Sequence, residues 1–246
     1  MLVQPGAGWK RLLGLVTALV GLTAVYLTQV RTCVIVLTGM LVLYAVLLVG
    51  QRQGRRALLL VAAVVATFAV AVGGARRLGG EAVVERVATL FAASPAEVYY
   101  QSGRGEQLEH GLRVLAVEYP FGAGLGRWGM MRQYFGDEGN AASPPIWAEV
   151  QFPAWILDGG VVLLALYCAA LVATTGRDLR LVGRTSDRRL QAAAAIVLAV
   201  NAGAVAMTFG LTPFTSQIGL QYWLLAGALF GASRGSSRGG SAPNAT

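Results

Sequence analysis

Charged residues are scarce in this chain, and that scarcity excludes most soluble folds. Asp, Glu, Lys and Arg make up 13% of the 246 residues, whereas soluble domains carry about 25%. Hydrophobic residues make up 55%, and the mean hydropathy is +0.58. The apolar residues lie in blocks of about 20, the helix length that crosses a bilayer core. We therefore expect an integral membrane protein with the lipid bilayer as its first partner.

Metal-binding side chains are equally scarce. The chain has a single histidine, His110, and the two cysteines, Cys33 and Cys168, both fall in apolar blocks. These cysteines are expected to pack as small apolar side chains and not to form a disulfide. The acidic pair Asp137 and Glu138 has no neighbours with the spacing of a metal site. We therefore expect no metal and no cofactor.

The long apolar runs predict an all-α, polytopic helical membrane protein. The runs are unbroken, whereas barrel strands would alternate apolar and polar residues. Three transmembrane helices are predicted in residues 1–75, a long extracytoplasmic loop in 76–145, three further transmembrane helices in 146–232, and a disordered Gly/Ser-rich tail in 233–246. The six predicted spans cover residues 12–30, 32–50, 57–75, 155–175, 190–210 and 217–232.

The net charge of +8 follows this topology and does not indicate nucleic acid as a partner. With both termini in the cytoplasm, the cytoplasmic pieces hold 12 cations and 2 acids, whereas the outer pieces hold 8 cations and 10 acids. Short cytoplasmic loops of membrane proteins carry an excess of Lys and Arg. The charge distribution therefore predicts a multi-pass membrane protein with both termini in the cytoplasm and the 76–145 loop outside.

Two arginines on the outer side are candidates for binding an anion. Arg31 lies in the predicted tight turn "LTQVRT" between the first two spans, where the inside bias for cations works against it. Arg104 lies at the start of a predicted amphipathic helix. A guanidinium suits a phosphate because its planar fork donates two parallel hydrogen bonds. The alternatives are that Arg31 anchors to lipid headgroups and that Arg104 is a solvated loop residue. The apolar face of the helix is predicted to hold Leu108, Leu112, Leu115 and Tyr119.

The glycine run "FGAGLGRWG" (121–129) suggests a nucleotide loop, but its context contradicts that interpretation. A dinucleotide site needs a strand before the glycines, whereas here a helix ended by Pro120 precedes them. A Walker loop needs a lysine after the glycines, and Lys10 is the only lysine. The run is therefore predicted to be a backbone bend, because glycine permits positive φ and close approach. Arg127 beside it is a third, weaker candidate for anion binding.

The segment after this loop carries two carboxylates near the predicted outer interface, Glu149 and Asp158. Carboxylates at that depth are candidate functional groups, and Glu149 can act as a general base. For Asp158 the alternative is a helix cap at the start of the span. Trp147 and Trp155 are predicted to lie in the interfacial aromatic belt. His110 is either a surface residue or a base.

The order of these motifs resembles the C-terminal region of the O-antigen ligase and O-antigen polymerase superfamily. The stretches that carry the resemblance are "LTQVRT" (27–32), "SGRGEQLEHGLRVLAVEYPFGAGLG" (102–126) and "WAEVQFPAWILDGGVVLL" (147–164). The resemblance implies a multi-pass glycosyltransferase of the bacterial inner (cytoplasmic) membrane. At the extracytoplasmic face it moves a glycan from undecaprenyl pyrophosphate to an acceptor hydroxyl. It also implies that Arg31 and Arg104 bind the donor's pyrophosphate.

The chain departs from the family pattern in two ways. Many members have His-Asn where this chain has Glu149 and Val150, so Glu149 is the candidate catalytic base. The family also has more spans, so the N-terminal spans are expected to be missing, or to be supplied by another protein as the partner in a split enzyme. Two alternatives to an active transferase stay open, namely an anion transporter of the same superfamily and a non-catalytic subunit or inactive fragment.

Overall fold

A computed structural model describes residues 8–27, 31–92, 103–129, 132, 146–185 and 187–239. The described residues are almost entirely helical, with no β-strand among them, which confirms the all-α fold class. We label the helices in chain order: α1 (Gly8–Leu27), α2 (Arg31–Gly50), α3 (Gly54–Ala92), α4 (Arg104–His110), α5 (Gln151–Arg184), α6 (Arg188–Met207) and α7 (Gln217–Gly239). Helix α4 continues through a π-helical turn (Gly111–Leu115) and a last short turn (Ala116–Glu118).

The chain forms two compact units, Met1–Ser94 and Pro95–Thr246. In the N-terminal unit, helix α3 packs against both α1 and α2. Large apolar side chains such as Val42, Leu58 and Val65 remain exposed on these helices. An exposed apolar surface of this extent fits contact with lipid, because soluble proteins rarely expose such patches.

Three helices are long and apolar enough to cross a membrane, judged over the described residues by length and composition. They are Thr32–Gly50 in the N-terminal unit, and Gln151–Arg184 and Arg188–Met207 in the C-terminal unit. These helices support the membrane location that the composition predicts. The count of six spans and the outside position of the 76–145 loop stay predictions.

Two helices extend beyond their predicted spans. Helix α3 continues to Ala92, past the predicted end of the third span at residue 75. Helix α7 continues to Gly239, into the segment predicted to be disordered from residue 233. The reason is that hydropathy marks where an apolar span ends, whereas Ala, Arg, Leu and Glu after that point still favour a helix. A span boundary is therefore not a helix boundary.

The C-terminal unit is built on three helices joined by short connections. Helix α6 packs against both α5 and α7, and half of its apolar stretch is buried. The turn before α6 is closed by Asp187, whose Oδ1 accepts hydrogen bonds from the backbone N–H of Arg189 at 2.8 Å and of Leu190 at 3.4 Å. This is a standard N-cap, which satisfies N–H groups that have no partner within the helix. The C-terminal ends of α5 and α7 therefore meet the N-terminal end of α6.

Helix α5 is broken at Gly159 and Gly160, whose backbone angles are not helical. The part after the break, residues 161–184, is about 36 Å long at 1.5 Å per residue. That length suffices for a hydrocarbon core of about 30 Å. The part before the break, residues 151–158, is a separate short helix that is almost entirely buried.

Trp155 lies in this short helix, and its predicted position in an exposed aromatic belt is wrong. The side chain is buried, and its ring stacks on Tyr167 with centroids 4.6 Å apart. Phe214 contacts the same ring at 5.5 Å, and Phe214 in turn packs edge-on against Tyr222. The belt prediction fails because aromatic residues from α5, α7 and the 208–216 connection surround the Trp155 ring inside the protein. Trp147 is exposed.

Candidate functional site

A helix is present where the amphipathic helix was predicted, and it begins at Arg104. Gly103 precedes it with φ 74°, a left-handed conformation that suits glycine. The helix packs on the first part of α5, and Gly111 lies so close to Pro153 that a Cβ there would come within 2.6 Å of the proline Cγ. The π-helical turn adds a residue to the repeat, so Leu115 is buried whereas Leu112 is 47% exposed. Leu112 therefore lies outside the face that packs on α5.

The glycine run forms a loop, residues 119–129, that we call the glycine loop. Gly122, Gly124, Gly126 and Gly129 all have positive φ, between 51° and 98°. The backbone bend expected from the sequence is therefore confirmed. Because L side chains disfavour this region, the alternating glycines are a backbone requirement and not a phosphate motif.

The glycine loop docks into the break of α5. The backbone N–H groups of Ala123 and Gly124 donate to the carbonyl oxygen of Leu157 at 2.7 and 3.1 Å, and the N–H of Val161 donates to the carbonyl oxygen of Pro120 at 3.0 Å. Helix ends leave such groups without intrahelical partners, and the loop satisfies them. The loop and the broken helix therefore form one structure.

Close approach of the two backbones explains Gly160 at the break of α5 and Gly122 in the glycine loop. A Cβ on Gly160 would overlap the carbonyl of Pro120 and would come within 2.6 Å of the Phe121 Cα, and Gly160 also has φ 71°. A Cβ on Gly122 would lie 2.8 Å from the backbone nitrogen of Gly159. Only glycine allows the two backbones to touch in this way.

A side-chain bond closes the same junction. Trp128 is buried, and its Nε1 donates a hydrogen bond to Asp158 Oδ1 at 2.8 Å. The ring packs in the cluster that contains Leu115, Ile156 and Leu157. The role that the structure gives Asp158 is thus to anchor the glycine loop.

Arg104 and Glu149, predicted separately as an anion-binding residue and a catalytic base, lie side by side. Arg104 Nε is 3.8 Å from Glu149 Oε2, and the two side chains are 27% and 41% exposed. The position of Glu149 is held from two directions. Its backbone N–H donates to Gln107 Oε1 at 2.9 Å, and its Oε1 accepts from Trp147 Nε1 at 3.1 Å. A cation and a carboxylate are therefore presented together at a surface that solvent reaches.

The glycine loop continues to this pair through its last residues. Trp128 and Ile146 form an isolated parallel bridge, and Ile146 N–H donates to the carbonyl oxygen of Arg127 at 3.0 Å. The side chain of Arg127 is half-buried. The segment that carries Glu149 therefore starts beside the backbone of Arg127, the third predicted arginine.

The remaining predicted residues are His110, Arg31, Asp137 and Glu138. His110 is exposed on α4. Arg31 is the first residue of α2 in the N-terminal unit, and its side chain lies outside the described residues. Asp137 and Glu138 lie outside them as well. Over the part of the chain that is described, no group of three or more His, Cys, Asp or Glu side chains could hold a metal ion.

Sequence reasoning missed a second polar group, at the opposite end of α5. Asp178 is 2% exposed although its position predicted a cytoplasmic surface charge, and its Oδ2 accepts from Asn201 Nδ2 at 3.2 Å. The signal that could have found the pair is the short turn between α5 and α6, which makes these helices antiparallel neighbours. A buried carboxylate needs such a donor.

The polar residues that the last spans offer a transport path are Asn201, Thr208, Thr212 and Gln217. Two of them, and Gln151 on α5, form hydrogen bonds within the fold. Asn201 contacts Asp178, and the hydroxyl of Thr208 donates to the carbonyl oxygen of Val205 at 2.6 Å. Gln151 Oε1 accepts from the N–H of Phe214 at 2.9 Å, which ties the 208–216 connection to α5. These contacts favour a structural role for the polar groups and give no support to a transport path.

Comparison with models of known protein families, with curated proteins and with solved structures finds no match to this chain.

Proposed function

We propose that this chain is a membrane glycosyltransferase, a polymerase or ligase, that moves a glycan from undecaprenyl pyrophosphate to an acceptor hydroxyl at the outer face of the bacterial inner membrane. The observation that carries the proposal is the contact of Arg104 with Glu149 at 3.8 Å. These two residues were selected from the sequence for complementary roles, and they lie far apart in the chain.

The reaction needs a base for the acceptor and a stabilised leaving group for the donor. In the proposed step, the carboxylate of Glu149 takes the proton of the acceptor hydroxyl. The acceptor oxygen forms a bond to the anomeric carbon while the bond from that carbon to the phosphate oxygen breaks. Undecaprenyl pyrophosphate leaves with the electron pair, and arginine side chains stabilise its charge. No metal is required for this balance.

The geometry of the pair suits an exchange of partners. Both side chains are partly exposed, so their mutual attraction is weak in water. A pyrophosphate carries more negative charge than a carboxylate and accepts two parallel hydrogen bonds from a guanidinium. Donor binding to Arg104 therefore releases Glu149 to act as the base. Gln107 and Trp147 keep Glu149 in place during the exchange.

The glycine loop supports the proposal by gathering the motifs. The loop docks on α5, and its last residues pair with the segment before Glu149. Two of the three stretches whose order resembles the O-antigen ligase and polymerase superfamily, residues 102–126 and 147–164, thus share one junction within the C-terminal unit. In the proposal Arg127 adds a further contact to the pyrophosphate, and a contact from Arg31 stays a prediction from the sequence.

The proposal is tested with the purified full chain in lipid nanodiscs and a donor of undecaprenyl pyrophosphate carrying an oligosaccharide. Donor binding and release of undecaprenyl pyrophosphate are measured separately. Arg104→Ala is expected to weaken donor binding by about tenfold to a hundredfold, because a charge-assisted hydrogen bond contributes about 1.5–3 kcal/mol. Glu149→Gln is expected to keep donor binding and to slow release by about 10²–10⁴-fold, the usual contribution of a general base.

The matched control is Arg113→Ala. Arg113 lies in the same helical segment, is 78% exposed and forms an ion pair with Glu109 at 2.9 Å. The control is expected to behave as wild type in both measurements. Normal donor binding by Arg104→Ala together with normal release by Glu149→Gln would show that the proposed mechanism is wrong. An equal loss of donor binding in Arg113→Ala would show that general surface charge causes the effect of Arg104→Ala.

A further inference from the structure

The second end of α5 contains a cavity that the proposed transferase chemistry does not use. It lies between α5 and α7 and has a volume of about 210 Å³. It is smaller than the roughly 300–1,000 Å³ pockets that enclose drug-sized ligands. The lining residues are Thr174, Arg177, Asp178, Trp223, Ala226, Gly227 and Phe230.

Two guanidinium groups contact the ring of Phe230, and that of Arg177 lines the cavity. The Arg177 guanidinium carbon lies 3.2 Å from the centroid of the Phe230 ring, and that of Arg234 lies 4.1 Å from the same centroid. Stacking on an aromatic face holds a guanidinium in place through its π surface. The N–H donors of Arg lie in the plane of the group, so a stacked arginine can still direct them at a ligand.

The carboxylate in the cavity wall is directed elsewhere. Asp178 is 2% exposed, and it accepts a hydrogen bond from Asn201 on α6. Within the described part of the chain, no carboxylate lies within salt-bridge distance of Arg177. The cavity therefore presents the Arg177 guanidinium, and the carboxylate among its lining residues, Asp178, is buried and held by the Asn201 amide.

The surrounding charge has the same sign. The ends of α5, α6 and α7 that meet here carry only Asp178 and Asp187 as acids. The arginines at this end are Arg177, Arg180, Arg184, Arg188, Arg189 and Arg234. A basic pocket between transmembrane helices is suited to the headgroup phosphate of an anionic lipid, and nearby basic residues attract the anionic leaflet.

We propose that the cavity between α5 and α7 binds a phosphate group through Arg177, with Arg234 as its neighbour and Phe230 as the platform. The phosphate is that of an anionic phospholipid headgroup or a free phosphate, since the same donors serve both. Binding there ties α5 to α7 at the end of the unit opposite the glycine loop.

The test measures binding to the purified full chain in detergent by native mass spectrometry, with phosphatidylglycerol, phosphatidylcholine and inorganic phosphate as separate probes. Wild type is expected to bind phosphatidylglycerol more tightly than phosphatidylcholine. Arg177→Ala is expected to lose about tenfold to a hundredfold in affinity. Arg177→Lys keeps the charge and removes the planar fork, and it is expected to give an intermediate loss.

The control is Arg180→Ala, because Arg180 is exposed on the same helix and does not line the cavity. Wild-type affinity in this control assigns the binding to the cavity, whereas a loss equal to that of Arg177→Ala overturns the proposal. Binding of inorganic phosphate that depends on Arg177 identifies the phosphate itself as the ligand, and binding of phosphatidylglycerol alone identifies the lipid. Absence of Arg177-dependent binding with every probe overturns the proposal, with folding of the Arg177→Lys variant checked by its unfolding temperature.

Discussion

Helix α5 carries a functional candidate at each end, and the two ends treat charge in opposite ways. At the loop end, residues 151–160 with the glycine loop, Arg104 faces Glu149 and both remain partly exposed. At the arginine end, residues 174–184 with Phe230 and Arg234, the cations pack on an aromatic ring while the carboxylate of Asp178 is buried against an amide.

The two ends of α5 keep a charged side chain available for a ligand in different ways. An exposed ion pair gains little from its own attraction, so a stronger ligand can displace one partner and leave the other ready for proton transfer. A guanidinium stacked on an aromatic ring is held in place without a carboxylate partner, so its N–H donors can bind an anion. The loop end is therefore suited to chemistry, and the arginine end is suited to binding.

The largest effect is expected from Gly160→Ala, which breaks the loop end alone. The added Cβ would overlap the Pro120 carbonyl, and φ 71° is unfavourable for alanine. Left-handed strain of about 1–2 kcal/mol and overpacking of about 1–3 kcal/mol give a loss of roughly 2–5 kcal/mol in the free energy of unfolding. Urea unfolding in mild detergent measures it.

Gly183→Ala is the control for that change. Gly183 is an exposed helical residue of α5, and a Cβ there would meet nothing within 4 Å. Alanine is expected to stabilise the helix by about 0.5–1 kcal/mol, because glycine loses more conformational freedom on folding. If Gly160→Ala proved as harmless as this control, the close docking of the glycine loop on α5 would be wrong.

A smaller effect is expected at the arginine end from Asn201→Leu. The change leaves the buried Asp178 carboxylate without its amide donor, which costs about 2 kcal/mol. The double variant Asp178→Leu with Asn201→Leu is expected to recover most of this loss, because replacing both partners by apolar groups is nearly neutral. Additive losses in the double-mutant cycle would contradict a direct contact between the two side chains.

Local features of the sequence predicted much of the loop end. Proline at position 120, glycine at 103 and the apolar spacing after Arg104 indicated a helix that is bounded on both sides, and that helix is present. The alternating glycines indicated positive φ, and the four described glycines have it. These features succeed because backbone conformation depends mainly on the residue itself and its neighbours.

Contacts between distant segments could not be predicted in the same way. The contacts of Gly122 with Gly159 and of Gly111 with Pro153 could not be predicted from the sequence. The burial of Trp155 could not be predicted either. Such contacts depend on how helices pack, and a single π-helical turn moved Leu112 out of the packed face. The contact between Arg104 and Glu149 belongs to this class, although each residue was selected separately.

Trp128→Phe is expected to weaken the loop end by a smaller amount. Phenylalanine keeps most of the buried ring contacts and removes the hydrogen bond from Nε1 to Asp158 at 2.8 Å. The expected loss is about 1 kcal/mol, measured by urea unfolding. The double variant Trp128→Phe with Asp158→Asn should cost little more than Trp128→Phe alone, whereas a full additional loss would show that Asp158 has another partner that matters more.

The smallest effect on stability is expected from Glu149→Gln, and its smallness is informative. The ion pair to Arg104 is partly exposed and 3.8 Å long, so its loss should change the free energy of unfolding by less than about 1 kcal/mol. The change should shrink further when salt is raised to about 1 M, because screening then acts within ~3 Å. A loss above about 2 kcal/mol would make Glu149 a structural residue. A stable variant that has lost release of undecaprenyl pyrophosphate would instead assign the charge at the loop end to chemistry, because the fold does not depend on it.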